Sequence, residues 1–369
     1  MTVASRIIET PHLFDGHFRD VFVRCGHASA LPERLMVIID EQVDDLYGDR
    51  IRRFWHRSHI TPIMVRARCD EHTKNMATLT RILEKMAGES LLRRAEPVIA
   101  IGGGILLDIA GLAANLYRRG VPYIRIPTTL VGLVDAGIGA KTGVNGFSQR
   151  NRIGTYYPPL ASFIDISFLA TLPVQELRNG FSEILKLAIV VDRQLFELVE
   201  IHGEDLLETR FQGHPAADDV IQRAITGMAA QLDGNLWEQN LARYVDFGHS
   251  FSPFIEMKSR DTDEPLSHGE AVILDVYLSC VIANNRGMLA DRELRRVCDV
   301  MDGLGLKAFH PLFSDMDMLG AALEEITTHR NGRQNCPLPT EIGRATFYND
   351  IGEADLAQAV MGDVKERRV

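Results

Sequence analysis

Two rhythms of apolar and polar positions divide the chain. In the first half, short apolar runs alternate with amphipathic stretches. LMVIID (Leu35 to Asp40) reads as a buried strand, and IRRFWHRSHI after it has helical spacing. PIMVRA (Pro62 to Ala67) reads as a strand and Glu71 to Met86 as a helix. PVIAIGGG runs from a strand into a glycine turn, Ile105 to Arg119 reads as a helix, and VPYIRIP as the next strand. Strands alternating with helices predict parallel βαβ units. After ASFIDI (Ala161 to Ile166) the patterns are almost only helical: Val174 to Val190, Ala217 to Trp237, Gly269 to Asn285, Asp291 to Met301 and Ala354 to Lys365. Leu172-Pro173 marks the junction. The predicted architecture is an α/β, Rossmann-like nucleotide-binding domain over 1–172, followed by an all-α domain over 173–369.

Composition narrows the class. A chain of 369 residues suits two domains, and 46% hydrophobic with 24% charged residues is ordinary for a globular protein. Five scattered cysteines form no CxxC pair and no even disulfide framework. The start, MTVASRIIET, has no basic segment followed by an apolar core, and no apolar run is long enough to span a bilayer. A reducing cytoplasm is the expected compartment, with no membrane partner. A formal charge of -10 argues against nucleic acid as a partner, because duplex binding needs a basic surface. It leaves room for a small anion, since a few cations in one cleft can reverse the local field.

The chemistry begins at Gly102-Gly103-Gly104, between a predicted strand and a predicted helix. Missing β-carbons let backbone N–H groups approach a pyrophosphate, and a helix N-terminus adds positive potential. The pattern GGGxxxD, with Asp108 one turn on, differs from GxGxxG, and alone it is equally a tight strand-to-helix turn. Its surroundings favour a nucleotide. Asp40 ends one strand, Glu71 and Lys74 begin a predicted helix, and Thr128-Thr129 ends the strand after the glycine helix. All lie where C-terminal strand ends converge.

Three candidate metal ligands lie in the helical half: Glu183 in GFSEILKLAIV, His249 in VDFGHSFSP and His268 in LSHGEAV. One carboxylate and two imidazoles compose a catalytic zinc site, although each histidine alone could be a helix cap or a core residue. Lys186 shares a helix face with Glu183. Cations gather elsewhere: Lys141 in the glycine-rich VDAGIGAKTGVN after Asp135, Arg150 with Asn151 and Arg152, Arg118-Arg119 at a helix end, and His329, Arg330 and Arg333 in HRNGRQN. Fixed cations beside flexible backbone suit a phosphate monoester.

Taken together, IGGGILLDIAGLAANLYRRG, IPTTLVGLVDAGIGAKTGVN, RNRIGTYYPP, FLATLPVQELRNGFSEILK, VDFGHSFSP and LSHGEAV resemble the sugar phosphate cyclases of the dehydroquinate synthase superfamily, over nearly the full family length. The resemblance implies a dehydroquinate synthase-like fold. It implies that Glu183, His249 and His268 hold Zn²⁺, with Co²⁺ as a substitute. It puts Asp40, Glu71, Lys74, Gly102, Gly103, Gly104, Asp108, Thr128, Thr129, Thr171 and Glu176 around NAD. Asp135, Lys141, Asn151 and Lys186 fall at the substrate, with Arg150, Asp246 and Arg330 as further candidates. Arg119 matches an arginine that reaches the partner's phosphate across a homodimer.

The departures are informative. Dehydroquinate synthases usually carry Lys at Met228, Arg at Ala242, Asn at Asp246, His at Pro253 and Lys at Arg150. Two cations that would face a substrate carboxylate are gone, and a buried carboxylate without them would cost several kcal/mol in rough terms. The expected substrate is therefore a neutral polyol phosphate, sedoheptulose 7-phosphate, as in the branch of 2-epi-5-epi-valiolone synthases that feed C7-cyclitol natural products. The implied route is transient oxidation by NAD, β-elimination of phosphate, re-reduction, ring opening and intramolecular aldol closure. Alternatives, in order, are a sister cyclase making 2-epi-valiolone or desmethyl-4-deoxygadusol, a 3-dehydroquinate synthase, and a metal-dependent polyol dehydrogenase. A non-catalytic nucleotide-binding protein would have lost one of Glu183, His249, His268 or Lys141, and all four are present.

Overall fold

A computed structural model describes residues 6–25, 32–147 and 149–366. The first five residues of MTVASRIIET lie outside them. The chain divides into two compact units, Met1–Leu172 and Pro173–Val369.

The first unit runs β1 (Arg6–Glu9), α1 (Phe18–Arg24), β2 (Arg34–Asp40), α2 (Glu41–Arg57), β3 (Thr61–Ala67), α3 (Met76–Gly88), β4 (Val98–Gly102), α4 (Gly104–Leu116), β5 (Tyr123–Pro127), β6 (Lys141–Gly146), β7 (Gln149–Tyr156) and β8 (Ala161–Ile164). Six strands form one parallel sheet in the order β1-β8-β5-β4-β2-β3. Strands β4 and β5 are buried along their whole length, as expected of a parallel sheet covered on both faces. Each fully buried Ile or Val there contributes about 1.5–3 kcal/mol. The chain order reverses between β2 and β4: β3 is added outside β2, and β4 on its other side. In open α/β sheets, ligands bind outside the strand C-termini at such a switch point. Asp40 ends β2 and Gly102 ends β4.

Two local readings change. Glu71 and Lys74 precede α3 rather than open it, because Asn75 caps that helix through the Thr78 N–H. Lys141 starts an antiparallel hairpin, β6–β7, rather than sitting in a loop.

The second unit is helical: α5 (Val174–Val190), α6 (Arg193–Glu208), α7 (Ala217–Leu232), α8 (Ser252–Ser259), α9 (His268–Asn285), α10 (Asp291–Gly303), α11 (Met316–His329) and α12 (Glu353–Glu366). It adds one two-stranded ribbon, β9 (Cys336–Glu341) with β10 (Arg344–Tyr348). Helices α5 and α9 are its spine, buried over most of their length. Where they cross, a Cβ on Gly269 would fall 2.3 Å from Asn179 Cα, so only glycine lets the start of α9 lie on α5. Among the described residues, no helix is long and apolar enough to cross a membrane.

Candidate metal centre and nucleotide turn

Glu183 sits mid-way along α5 with its side chain fully buried. His268 is the first residue of α9, held there by a reciprocal capping box between Ser267 and Glu270. His249 lies in the segment just before α8. These three segments bring one oxygen and two nitrogens within 4.8 Å of one another. His268 Nε2 is 3.0 Å and His249 Nε2 4.0 Å from Glu183 Oε1.

Both histidines present Nε2 to Glu183 because Nδ1 is engaged behind it. His268 Nδ1 is 3.2 Å from Oε2 of the buried Glu256 on α8, and His249 Nδ1 is 3.2 Å from the Phe247 carbonyl. Carboxylate and carbonyl partners of this kind fix the tautomer and orientation of metal-binding histidines. Burial, followed by the Lys186 cation, lowers the His249 pKa to about 3, so the ring is neutral as a ligand must be.

The Glu183 carboxylate is held well below the usual range, although burial alone would raise it. Lys186 is the largest opposing influence, with Nζ 2.5 Å from Oε2. Neither carboxylate oxygen accepts a well-formed hydrogen bond, although both are buried. A buried carboxylate with Oε1 turned toward two oriented imidazoles fits a divalent cation of the zinc class, which takes three protein ligands in catalytic sites.

A second layer of side chains braces this centre. Asp275, two turns into α9, accepts the N–H groups of Phe251 (2.6 Å) and Ser252 (2.8 Å) at the start of α8. Arg330 is buried and donates to the carbonyls of Gln334 at 2.7 Å and His249 at 3.2 Å. Asp246 is paired with Arg243 at 2.5 Å and lies 3.7 Å from Arg330, while Arg243 also pairs with Glu238. Met228 is buried on α7, and Ala242 is half-buried just before Arg243. Glu256, Asp275 and Arg243 were not singled out in the sequence. An acid or base on an amphipathic segment gives no sign that it faces inward.

In the first unit, the glycine turn is a cradle. A Cβ on Gly103 would fall 2.9 Å from Thr129 Cγ2, on Gly102 3.2 Å from Asp40 Cβ, and on Gly104 3.2 Å from Ala136 Cβ. Gly103 is the N-cap of α4 and supplies no capping side chain. A surface that admits backbone but not β-carbons, at an uncapped helix start, fits a dinucleotide pyrophosphate. Asp40 and Thr129, two of the expected cofactor residues, form its walls, with Thr128 beside them on the same turn. Lys74, buried, donates to Asp108 at 2.6 Å. Thr171 is hydrogen-bonded to Tyr47, and Glu176 accepts from Asn179 at 3.3 Å in the first turn of α5.

The hairpin joins the Glu71–Lys74 turn through Asn145. Its N–H donates to the Lys74 carbonyl, and its Oδ1 accepts the Asn151 N–H at 3.0 Å. Arg150 Nε lies 3.1 Å from Glu71 Oε1. Lys141 and Asn151 are exposed, and Asp135 is half-buried in a single π-turn. Arg119 is exposed in a left-handed turn after α4.

Residues 64–179 match the family described as 3-dehydroquinate synthase N-terminal, and residues 180–327 the family described as 3-dehydroquinate synthase C-terminal. The chain belongs to the dehydroquinate synthase family. Among its relatives, a 2-epi-5-epi-valiolone synthase of Actinoplanes sp. is 45% identical over 344 residues, covering 92% of this chain and 85% of that one. Another, from Streptomyces albus, is 46% identical over 356 residues, 94% of this chain and 86% of the relative. The solved structure of ValA, a 2-epi-5-epi-valiolone synthase from Streptomyces hygroscopicus subsp. jinggangensis with NAD⁺ and Zn²⁺ bound, covers 100% of this chain and 98% of its own, at 44% identity and a TM-score of 0.92.

Proposed function

We propose that this member of the family is a carbon–oxygen lyase that converts sedoheptulose 7-phosphate to 2-epi-5-epi-valiolone and phosphate, for C7-cyclitol biosynthesis. The observation that carries this reading is the full-length likeness to ValA, together with the Glu183–His249–His268 centre. The absence of basic side chains at Met228 and Ala242 supports a neutral polyol over a heptulosonate. Pairing of Asp246 with Arg243 supports it further, because that cation is already neutralised.

In this reading the Gly102–Gly104 cradle, Asp40, Thr128, Thr129 and the Lys74–Asp108 pair hold NAD⁺, with Glu71, Thr171 and Glu176 around it. Glu183, His249 and His268 hold Zn²⁺ or Co²⁺. When bound, NAD⁺ accepts and returns one hydride, and the metal ion acts as a Lewis acid on the sugar. The net change is loss of phosphoric acid and formation of one C–C bond, without net redox, so the cofactor is retained.

The chain's own residues bind and stabilise charge. Lys141 and Lys186 stabilise phosphate and developing oxyanions. Lys186 Nζ lies 2.5 Å from Glu183 Oε2, which places it beside the candidate metal centre. Asp135 and Asn151 orient hydroxyl groups, and Arg150 and Asp246 border the substrate, with the buried Arg330 behind Asp246. Arg119 is the candidate for a phosphate contact across a homodimer. Product NMR after incubation with sedoheptulose 7-phosphate tests the branch: 2-epi-5-epi-valiolone supports it, and another cyclitol reassigns the chain to a sister cyclase.

A further inference from the structure

Arg125 is the one charged residue of β5, YIRIP, and it has 0% of its surface exposed. A central strand of a parallel sheet is a costly place for a cation. Arg125 makes no ion pair among the described residues. Its guanidinium lies 5.3 Å from the Tyr123 ring centroid, and its donors go to three backbone carbonyls: Gly139 at 2.5 Å, Ala136 at 3.1 Å and Lys141 at 3.1 Å. Its Nε is left without a partner. An apolar side chain would leave those carbonyls without this donor, so what the arginine supplies is a tether to the segment that carries them.

The three carbonyls share one property. They belong to the segment 136–141, which joins Asp135 to Lys141. That segment holds Gly137 and Gly139, so its backbone has few side chains of its own to anchor it. Two side chains hold it, Arg125 and Ser162, whose Oγ donates to the Gly137 carbonyl at 2.5 Å, and the Tyr157 N–H donates to the Ala140 carbonyl at 2.7 Å. Lys141 is pinned on two sides, by Arg125 at its carbonyl and by Tyr156 across the hairpin, while its side chain stays exposed.

We propose that Arg125 is a positioning residue for the reaction. From beneath the sheet end it fixes the 136–141 backbone, so that Lys141 and Asp135 are presented to the sugar phosphate in one geometry. The proposal rests on the reading of Lys141 as a catalytic residue. A planar fork can hold several carbonyls at once, whereas a lysine at the same place supplies a single point charge.

The test is Arg125→Lys, with NAD⁺ affinity, melting temperature, kcat, KM and amide hydrogen exchange measured on the same preparation. The expected result is a folded protein with near-normal NAD⁺ affinity and KM. Its kcat falls on the order of 10–100-fold, the scale on which small misplacements of catalytic groups act. Exchange accelerates only in residues 136–141. Full kcat in the folded variant overturns the proposal, and so does a loss that follows NAD⁺ affinity and exchange across the whole sheet. Should Arg125→Lys not fold, Ser162→Ala decides: it loosens the same segment without a buried charge, and unchanged kcat and exchange overturn the proposal. Lys141→Ala separates the two levels. An active Lys141→Ala enzyme removes the reading of Lys141, whereas an inactive one beside a fully active Arg125→Lys removes the positioning role alone.

Discussion

Glu256 stands behind His268: its Oε2 is 3.2 Å from Nδ1, while Nε2 on the other side of the ring is 3.0 Å from Glu183. The imidazole is thus strung between two buried carboxylates, Glu256 behind it and Glu183 beside it in the candidate metal centre. Glu256→Gln keeps the shape and removes the charge. It should weaken Zn²⁺ or Co²⁺ affinity by about 10–100-fold, with turnover largely restored at saturating metal. Metal titration of the stripped protein, followed by activity, checks this; unchanged affinity would show that Glu256 serves packing alone.

Lys141 is exposed at the start of the β6–β7 hairpin. Lys141→Ala should abolish turnover and leave NAD⁺ binding intact. Fluorescence titration with NADH, alongside a phosphate-release assay, separates the two effects. Near-normal turnover would remove Lys141 from the chemistry.

Gly103 has room for backbone only. In Gly103→Val, the new Cβ falls 2.9 Å from Thr129 Cγ2, and the branched side chain covers the start of α4. NAD⁺ affinity should drop at least tenfold, about 1.4 kcal/mol, while the isolated metal affinity stays unchanged. Calorimetric titration with each ligand in turn measures both.

Arg330 was read in the sequence as a substrate cation. In the structure it is buried, and its donors reach the carbonyls of Gln334 and His249, with Asp246 at 3.7 Å. Arg330→Met should therefore destabilise the protein by roughly 1–3 kcal/mol, because the carbonyls of Gln334 and His249 lose their donor while Asp246 keeps Arg243. It should also weaken metal binding through His249. Denaturant unfolding with and without Zn²⁺ tests this. A rise in KM alone, at full stability, would return Arg330 to a purely substrate-contacting role.

The sheet and the spine helices were legible because their signals are long and apolar. VIAIG, YIRIP and the body of α9 leave little choice of environment. Other elements were hidden for physical reasons. The hairpin segments KTGVNG and QRNRIGTY are polar and glycine-rich, so no alternating apolar face marks them. Strand β9 contains Pro337 and Pro339, which argue against a strand in sequence but are tolerated in a two-stranded ribbon. Helix α8 has only 8 residues and opens with Ser252-Pro253. The three candidate metal ligands are named by family motifs rather than spacing, since Glu183, His249 and His268 come from separate segments. Glu256 and Asp275 had no such motif. Arg125 did carry a signal, as a lone charge inside an otherwise apolar strand.

The reaction proposed for this chain is a redox-neutral elimination and cyclisation that uses NAD⁺ catalytically on a neutral sugar phosphate. The most direct test is to supply sedoheptulose 7-phosphate with substoichiometric NAD⁺ and Zn²⁺ or Co²⁺, then follow phosphate and NADH together. The expected result is phosphate release far beyond the NAD⁺ supplied, with no accumulating NADH. Stoichiometric NADH without phosphate would make the chain a polyol dehydrogenase. Release only from the heptulosonate phosphate used by dehydroquinate synthases would contradict the meaning given to Met228 and Ala242.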